Sequence, residues 1–214
     1  MKPVTPWSDL TKIVEKRDGR METLEKMAVA AVKGMVVVRE AQRNPGDLQA
    51  QVKGDATLVT VVDHLSEAAI LAALGQIEDY SFQGEEGGIV GTGKKRGAVD
   101  PLDGTRIFSG GGMTSTVIVG TYDDTGRVDR CVVGEAVSGR IWAAKAGYGT
   151  RCFWVGEREY RGVRVWDGPL GKQASLFLDH SRGYKDIMSG AQVARLFAAL
   201  GGSSVFMLGS NGLH

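Results

Sequence analysis

The sequence has little cysteine and little histidine: Cys131 and Cys152 are its two cysteines, and it has three histidines in 214 residues. Two cysteines are too few for a disulfide-stabilised scaffold, so a reducing compartment, the cytoplasm, is the expected location. The histidines show no spacing typical of metal ligands, which argues against a histidine-based metal centre.

A surplus of charge and a long apolar run are also missing. The 26 Lys and Arg residues nearly balance the 25 Asp and Glu residues, and the formal net charge is +1. Bulk electrostatics therefore predict no nucleic acid and no membrane surface as partner. No apolar run approaches the length of a membrane span, and the charged residues of segment 1–20 argue against a signal peptide.

The apolar pattern predicts a protein that mixes α and β structure. Apolar residues at helical spacing predict a long helix from about Met21 to Gln42. Residues 58–62 are β-like, and a second helix is expected to begin at Asp63. Its predicted inner face consists of Leu65, Ala68, Ala69 and Ala72.

Strand patterns dominate the second half of the chain. Strands are predicted over 116–122, 128–137, 140–146, 174–178 and 204–208, and a helix over 184–200. We expect a loosely ordered segment over residues 1–20, an α+β subdomain over 21–146 and an α/β subdomain over 147–214.

The run 97–106 is the most informative stretch, because Asp100 and Asp103 flank a Pro-Leu step and Gly104 follows at once. We expect a strand before Asp100, a sharp turn at Pro101 and a short helix that begins near Gly104. Carboxylates attract divalent cations, and helix N-terminal amides attract phosphate. This run therefore predicts a site that holds a metal ion and a phosphate group together.

Four pieces occur in order along the chain: Lys53 with Leu58-Val59-Thr60 and Asp63; Gly84-Glu85-Glu86; the run 100–105; and Gly209-Ser210. Together they resemble the inositol monophosphatase family of metal-dependent, lithium-sensitive sugar phosphatases. The resemblance implies a layered αβαβα sandwich of the α+β or α/β class and a homodimer. Family members carry a Trp-Asp motif beyond the position of His214, so we expect the chain to be a fragment that lacks its C-terminal part.

The resemblance also implies a role for individual residues. The expected Mg²⁺ ligands are Glu85, Asp100, Asp103 and the backbone carbonyl of Leu102. The water-activating residues are expected to be Glu85, Thr105 and Asp63. Lys53 is expected to lie near the metal cluster and reduce its net charge. The expected phosphate-binding residues are Asp103, Gly104 and Thr105. The residues expected to contact the organic part of the substrate are Gly209, Ser210 and Asn211.

The function implied is a phosphomonoesterase for a small polyol or sugar phosphate, with two or three Mg²⁺ ions and Mn²⁺ as a substitute. Metal ions offset the repulsion between a phosphate dianion and an attacking water. Related substrates stay open: 3′-phosphonucleotides, fructose bisphosphate and histidinol phosphate.

Two other functional classes compete with this interpretation. A catalytically impaired binding or regulatory protein with the same fold is the main alternative. A nucleotide-binding P-loop is a weaker one, because the segment 88–95 nearly fits the motif but has Lys95 where Ser or Thr would hold Mg²⁺.

Overall fold

The structure, a computed structural model, describes residues 23–44, 48, 50–54, 58–156, 160–163, 175–179 and 204–208. Its helices are α1 (Thr23–Arg43), α2 (Val61–Leu74) and α3 (Thr105–Ser109). Its strands are β1 (Gln51–Val52), β2 (Leu58–Val59), β3 (Tyr80–Gly84), β4 (Ile89–Val90), β5 (Lys95–Asp103), β6 (Thr116–Tyr122), β7 (Val128–Glu135), β8 (Arg140–Lys145), β9 (Gly149–Trp154), β10 (Tyr160–Val163), β11 (Ser175–Asp179) and β12 (Ser204–Leu208).

An eight-stranded sheet in the order β10-β9-β8-β7-β6-β5-β3-β4 forms the centre of the described structure. Its neighbouring strands are antiparallel except for β3 and β5, which run parallel. Strands β5 to β10 follow one another along the chain and across the sheet. Strands β11 and β12 form a separate parallel pair, and β1 and β2 an antiparallel one.

Helices α1 and α2 pack on the sheet and on each other. Helix α1 contacts β6, β7 and β8, whereas α2 contacts β3, β4 and β5. Gly34 of α1 lies directly against α2, where an added Cβ would be 2.6 Å from Ile70 Cδ1 and 2.7 Å from Ser66 Oγ. A glycine at this position allows the two helices to approach closely.

Most predicted elements are confirmed with shifts of a few residues at their ends. The long helix α1, the strands β6, β7, β8, β11 and β12, and the short helix after the acidic run are all present. Strands β1, β3, β4, β9 and β10 were not predicted. The expected helix over 184–200 and the expected loosely ordered segment 1–20 lie outside the described residues. The subdomain boundary near residue 147 stays a prediction, although β9 and β10 extend the same sheet beyond it.

The prediction for the start of α2 was wrong by two residues, because the helix begins at Val61 and not at Asp63. Thr60 is the N-cap, and its side chain accepts a hydrogen bond from Val62 N at 3.2 Å. Asp63 occupies the third helical position, where its carboxylate accepts a hydrogen bond from Thr60 N at 2.7 Å. The β-branched pair Val61-Val62 is helical because this capping box holds the first turn in place.

The predicted inner face of α2 was also wrong. Leu65 is 55% exposed, Ala68 and Ala72 are exposed, and Ala69 is half-buried. The face that packs inward carries polar residues among its apolar ones, and its buried members are Val62, Asp63, Ser66, Glu67, Ile70, Leu71 and Leu74. Apolar periodicity does not indicate the buried face of such a helix, because polar residues are expected to face solvent.

The sharp turn expected at Pro101 is absent, because β5 continues to Asp103. The pairing with β6 shifts between Asp100, opposite Ile118, and Asp103, opposite Thr116, which leaves one extra residue on β5. A proline, which has no N–H to donate, fits such a bulge in a central strand. The chain turns instead at Gly104, whose φ of 87° is in the region that favours glycine.

The close contact at Gly34 gives a test of the helix packing. Gly34→Ala should lower the free energy of unfolding by about 1–3 kcal/mol, because the new methyl group has no space beside Ile70. The neighbouring exposed Lys33→Ala is the control, with an expected change within about 0.5 kcal/mol. Chemical denaturation measures both, and a stabilised Gly34→Ala variant would contradict this packing.

Candidate active site

The end of β5 and the start of α3 carry the acidic run. Asp100 is half-buried, and its Oδ1 accepts a hydrogen bond from Leu102 N at 3.1 Å. Asp103 is 8% exposed, and its Oδ2 accepts one from Thr116 Oγ1 on β6 at 3.1 Å. Hydrogen bonds within β5 and to β6 therefore orient both carboxylates. Helix α3 begins at Thr105, so the helix terminus predicted beside them is confirmed.

The side chains of Thr105 and Asp63 form a second part of the site. Thr105 Oγ1 lies 2.9 Å from Asp63 Oδ1 and 2.9 Å from the carbonyl oxygen of Leu102. A hydroxyl has one proton, and the charged carboxylate is the stronger acceptor. Asp63 is 2% exposed, and its other oxygen accepts hydrogen bonds from the backbone and side chain of Thr60 at 2.7 and 2.6 Å. The Asp63 carboxylate is thus held in one orientation towards Thr105.

The turn between β3 and β4 brings Glu85 and Glu86 to the same region. Glu85 N donates a hydrogen bond to Val99 O at 3.0 Å, one residue before Asp100. Lys53 Nζ lies 3.3 Å from Glu85 Oε1 and 2.6 Å from Glu86 Oε1. Burial lowers the pKa of Lys53. Its hydrogen bonds to Glu86 and Glu85, together with their negative charges, outweigh burial, so the net shift of this pKa is upward.

The strongest electrostatic perturbation of the site falls on Asp100. Burial, the negative charges of Glu85 and Asp103, and a hydrogen bond with the Glu85 side chain raise its pKa to about 8. The hydrogen bond from Leu102 N acts in the opposite direction without offsetting them. These carboxylates repel one another, and such a cluster favours either a bound proton or a bound cation.

The donor chemistry of this cluster fits a hard divalent cation. Carboxylate and carbonyl oxygens from Glu85, Asp100, Leu102 and Asp103 are the ligands that Mg²⁺ prefers. In the part of the chain that the structure describes, no three Asp, Glu, His or Cys side chains are arranged around one metal position. The pair Glu85 and Asp100 is in contact, and Glu85 also pairs with Lys53.

Glu85 and Asp100 border a groove of about 700 Å³ on the sheet. Its walls include Arg96, Ile118 and Tyr122 from β5 and β6. Such a groove has room for a small phosphate ester beside the two carboxylates.

The structure brings five of the residues predicted for the site into three side-chain contacts: Lys53 with Glu85, Glu85 with Asp100, and Asp63 with Thr105. Gly209, Ser210 and Asn211 lie outside the described residues, and their contacts stay predictions. Ser66 and Glu67 were not predicted from the sequence, although both bind the backbone of the site segments. Their positions three and four residues after Asp63 place all three on one face of a helix, and this spacing was the available signal.

The P-loop alternative was wrong. A P-loop is followed by a helix, whereas segment 88–95 contains β4 and leads directly into β5.

Comparisons with known proteins agree with this fold. The family model described as the inositol monophosphatase family matches residues 20–213, and the chain belongs to this family. It is 38% identical over 138 residues to "Phosphatase IMPL1, chloroplastic" of Arabidopsis thaliana, a match that covers 60% of this chain and 36% of that protein. It is 38% identical over 63 residues to a histidinol-phosphatase of Streptomyces coelicolor, covering 29% of this chain and 24% of the relative.

Among solved structures, the extragenic suppressor protein suhB of Bartonella henselae is similar with a TM-score of 0.71 and 21% identity. The match covers 89% of this chain and 71% of that one. This likeness confirms the predicted fold class, a mixed sheet with helices. The matches to the two curated relatives span about a third and a quarter of their lengths. None of the helices in the described residues is long and apolar enough to cross a bilayer.

The raised pKa of Asp100 predicts how stability depends on pH in metal-free protein. Asp100 keeps its proton up to about pH 8 in the folded state, whereas its pKa is ordinarily 3.8. The free energy of unfolding should therefore fall as the pH rises from about 4 to about 8. Asp100→Asn should remove this dependence and be the more stable protein at pH 9, by more than about 1 kcal/mol, because one pKa unit corresponds to about 1.4 kcal/mol.

Urea unfolding in EDTA between pH 5 and pH 9 measures the effect. Asp124→Asn, at an exposed position in the β6–β7 turn, is the matched control and should keep the wild-type pH dependence. An Asp100→Asn variant with the wild-type slope would show that Asp100 does not carry the shift.

Proposed function

We propose that this chain is the site-bearing part of a Mg²⁺-dependent phosphomonoesterase that acts on a small polyol or sugar phosphate. The contact between Glu85 and Asp100, where burial and the negative charges of Glu85 and Asp103 raise the pKa of Asp100 to about 8, carries the proposal. Membership of the inositol monophosphatase family supports the same reaction class. The names of the two curated relatives, a phosphatase and a histidinol-phosphatase, also support it.

In the proposed reaction a water oxygen attacks phosphorus and the P–O ester bond breaks. The water gives up a proton, the leaving alkoxide gains one, and the products are an alcohol and inorganic phosphate. Glu85, Asp100, Asp103 and the carbonyl of Leu102 would hold two or three Mg²⁺ ions, with Mn²⁺ as a substitute. Bound Mg²⁺ supplies positive charge to the phosphate and lowers the pKa of water.

The residues of the chain have distinct parts in this reaction. Thr105 Oγ1 donates to Asp63, so its lone pairs are available to accept a hydrogen bond from the attacking water and orient it. Glu85 accepts the proton that the water loses. The backbone amides of Gly104 and Thr105, with Asp103, bind the phosphate. Lys53 limits the repulsion around Glu85.

The finer properties of this proposal rest on family resemblance. They are inhibition by lithium, a homodimer, a cytoplasmic location, and contacts of Gly209, Ser210 and Asn211 with the organic part of the substrate. Histidinol phosphate, fructose bisphosphate and 3′-phosphonucleotides are the alternative substrates.

A binding or regulatory protein without turnover is the second candidate function. One observation favours it: in the described residues, Glu85 pairs with Lys53 and no three acidic, His or Cys side chains surround a common metal position. Such a protein would bind a phosphate ester and release no phosphate.

Phosphate release separates the two candidates. We expect turnover of inositol 1-phosphate, or of one of the three alternative substrates, that requires Mg²⁺, is abolished by EDTA and falls with Li⁺. Asp100→Asn should lower the rate by at least about 10²-fold, because it removes a charged ligand, whereas Asp124→Asn should not change it. Calorimetric binding of a substrate without any phosphate release would favour the regulatory protein.

The Thr105–Asp63 contact predicts a graded effect on turnover. Thr105→Val removes the hydroxyl and should lower kcat about 10²-fold or more, whereas Thr105→Ser keeps it and should stay within about tenfold of wild type. The effect should fall on kcat more than on KM, because the hydroxyl orients water and not the substrate. Steady-state kinetics at saturating Mg²⁺ measure both variants, and equal rates for Val and Ser would exclude a role for the hydroxyl.

A further inference from the structure

Glu67 is a buried carboxylate to which the reaction described above gives no role. It lies on α2, one helical turn after Asp63, and is 5% exposed. A buried carboxylate is costly unless hydrogen bonds satisfy its oxygens. Its two oxygens accept hydrogen bonds from Glu86 N at 2.7 Å and from Gly88 N at 2.9 Å. Both donors belong to the turn that carries Glu85.

The turn is built closely around this carboxylate. An added Cβ on Gly84 would lie 2.2 Å from Glu67 Oε2, and one on Gly88 would lie 2.8 Å from Glu67 Oε1. Gly84 N also donates to Gly88 O at 2.7 Å, which closes the turn on itself. Two glycines are therefore needed so that the backbone can wrap the Glu67 carboxylate.

Glu85 lies between two anchors as a result. On one side its own N–H donates to Val99 O of β5, next to Asp100. On the other side the N–H of the following residue, Glu86, is held by Glu67. The backbone of Glu85 is thus fixed relative to β5 and α2 at once, whereas its side chain is 44% exposed.

We propose that Glu67 is a positioning residue for the metal site, whose carboxylate holds the turn 84–88 so that Glu85 meets Asp100. This inference rests on the proposed function, because it assigns Glu85 to the metal. Glu67 itself touches neither ion nor substrate. The geometry requires a glutamate: glutamine offers one acceptor oxygen and turns an NH₂ group towards the second N–H, and aspartate is one methylene too short.

Mn²⁺ binding, measured by calorimetry on the whole chain, tests the proposal. Glu67→Gln and Glu67→Asp should each raise the dissociation constant about 10–100-fold, the range found for residues that support metal ligands. Ile70→Val is the matched control, because Ile70 is fully buried on the same helix and its side chain lies beside Gly34 of α1. It should lower stability and leave Mn²⁺ affinity unchanged.

The aspartate variant distinguishes position from charge. It keeps the negative charge of Glu67 but cannot reach both N–H groups, so a variant that binds Mn²⁺ like wild type would overturn the proposal in favour of a purely electrostatic role. An unchanged affinity in Glu67→Gln would overturn it as well. Saturating Mg²⁺ should restore kcat of both variants to within a few-fold of wild type, since the reacting groups are intact.

Amide hydrogen exchange in metal-free protein gives a readout that does not depend on activity. The N–H groups of Glu86 and Gly88 should exchange faster in Glu67→Gln than in the Ile70→Val control, because they lose their acceptor. Equal exchange rates would overturn the proposal. Failure of the proposed function would be seen separately, as an absence of Mn²⁺ binding to the wild-type chain.

Discussion

Hydrogen bonds from the buried polar face of α2 are the interaction on which the rest of the site depends. Asp63, Ser66 and Glu67 are 2%, 0% and 5% exposed, and each binds a different segment. Asp63 binds Thr105 at the start of α3, Ser66 Oγ donates to Pro101 O at 2.8 Å, and Glu67 binds the turn 84–88. Buried polar groups are costly when unsatisfied, so the helix packs well only when all three segments are in place.

This arrangement opposes the repulsion that the site creates. Glu85, Asp100 and Asp103 are held near one another although burial, together with the charges of Glu85 and Asp103, raises the pKa of Asp100 to about 8. Lys53 is the cation that the described residues bring to Glu85. A cation binds most strongly where carboxylates are held close together, because its charge relieves the repulsion between them. The packing of α2, including its close approach to α1 at Gly34, therefore supports the chemistry proposed for β5.

The fold could be predicted where the chain follows ordinary periodicity, as in α1 and in strands β6, β7 and β8. The predictions failed where the site overrides that periodicity. Helix α2 buries Asp63 and Glu67 instead of Leu65, which no apolar pattern indicates. Strand β5 passes through Pro101 because a bulge removes the need for its N–H. The strands β3 and β9 escaped prediction because they contain few apolar residues: Tyr80 and Phe82 in β3, and the last three residues of β9, 152–154.

The acidic run and its partners Glu85, Asp63 and Thr105 could be predicted from motif resemblance. The spacing of Glu67 from Asp63 indicates a shared helix face, but it does not indicate that the turn 84–88 folds around the Glu67 carboxylate. The central claim is that α2 holds Glu85 and Asp100 at one cation site. Anomalous diffraction from crystals soaked in Mn²⁺ tests it most directly. The account predicts an anomalous peak bonded to both carboxylates, with Glu67 still bound to the turn 84–88. A map without that peak, in which Glu85 stays on Lys53, would contradict it.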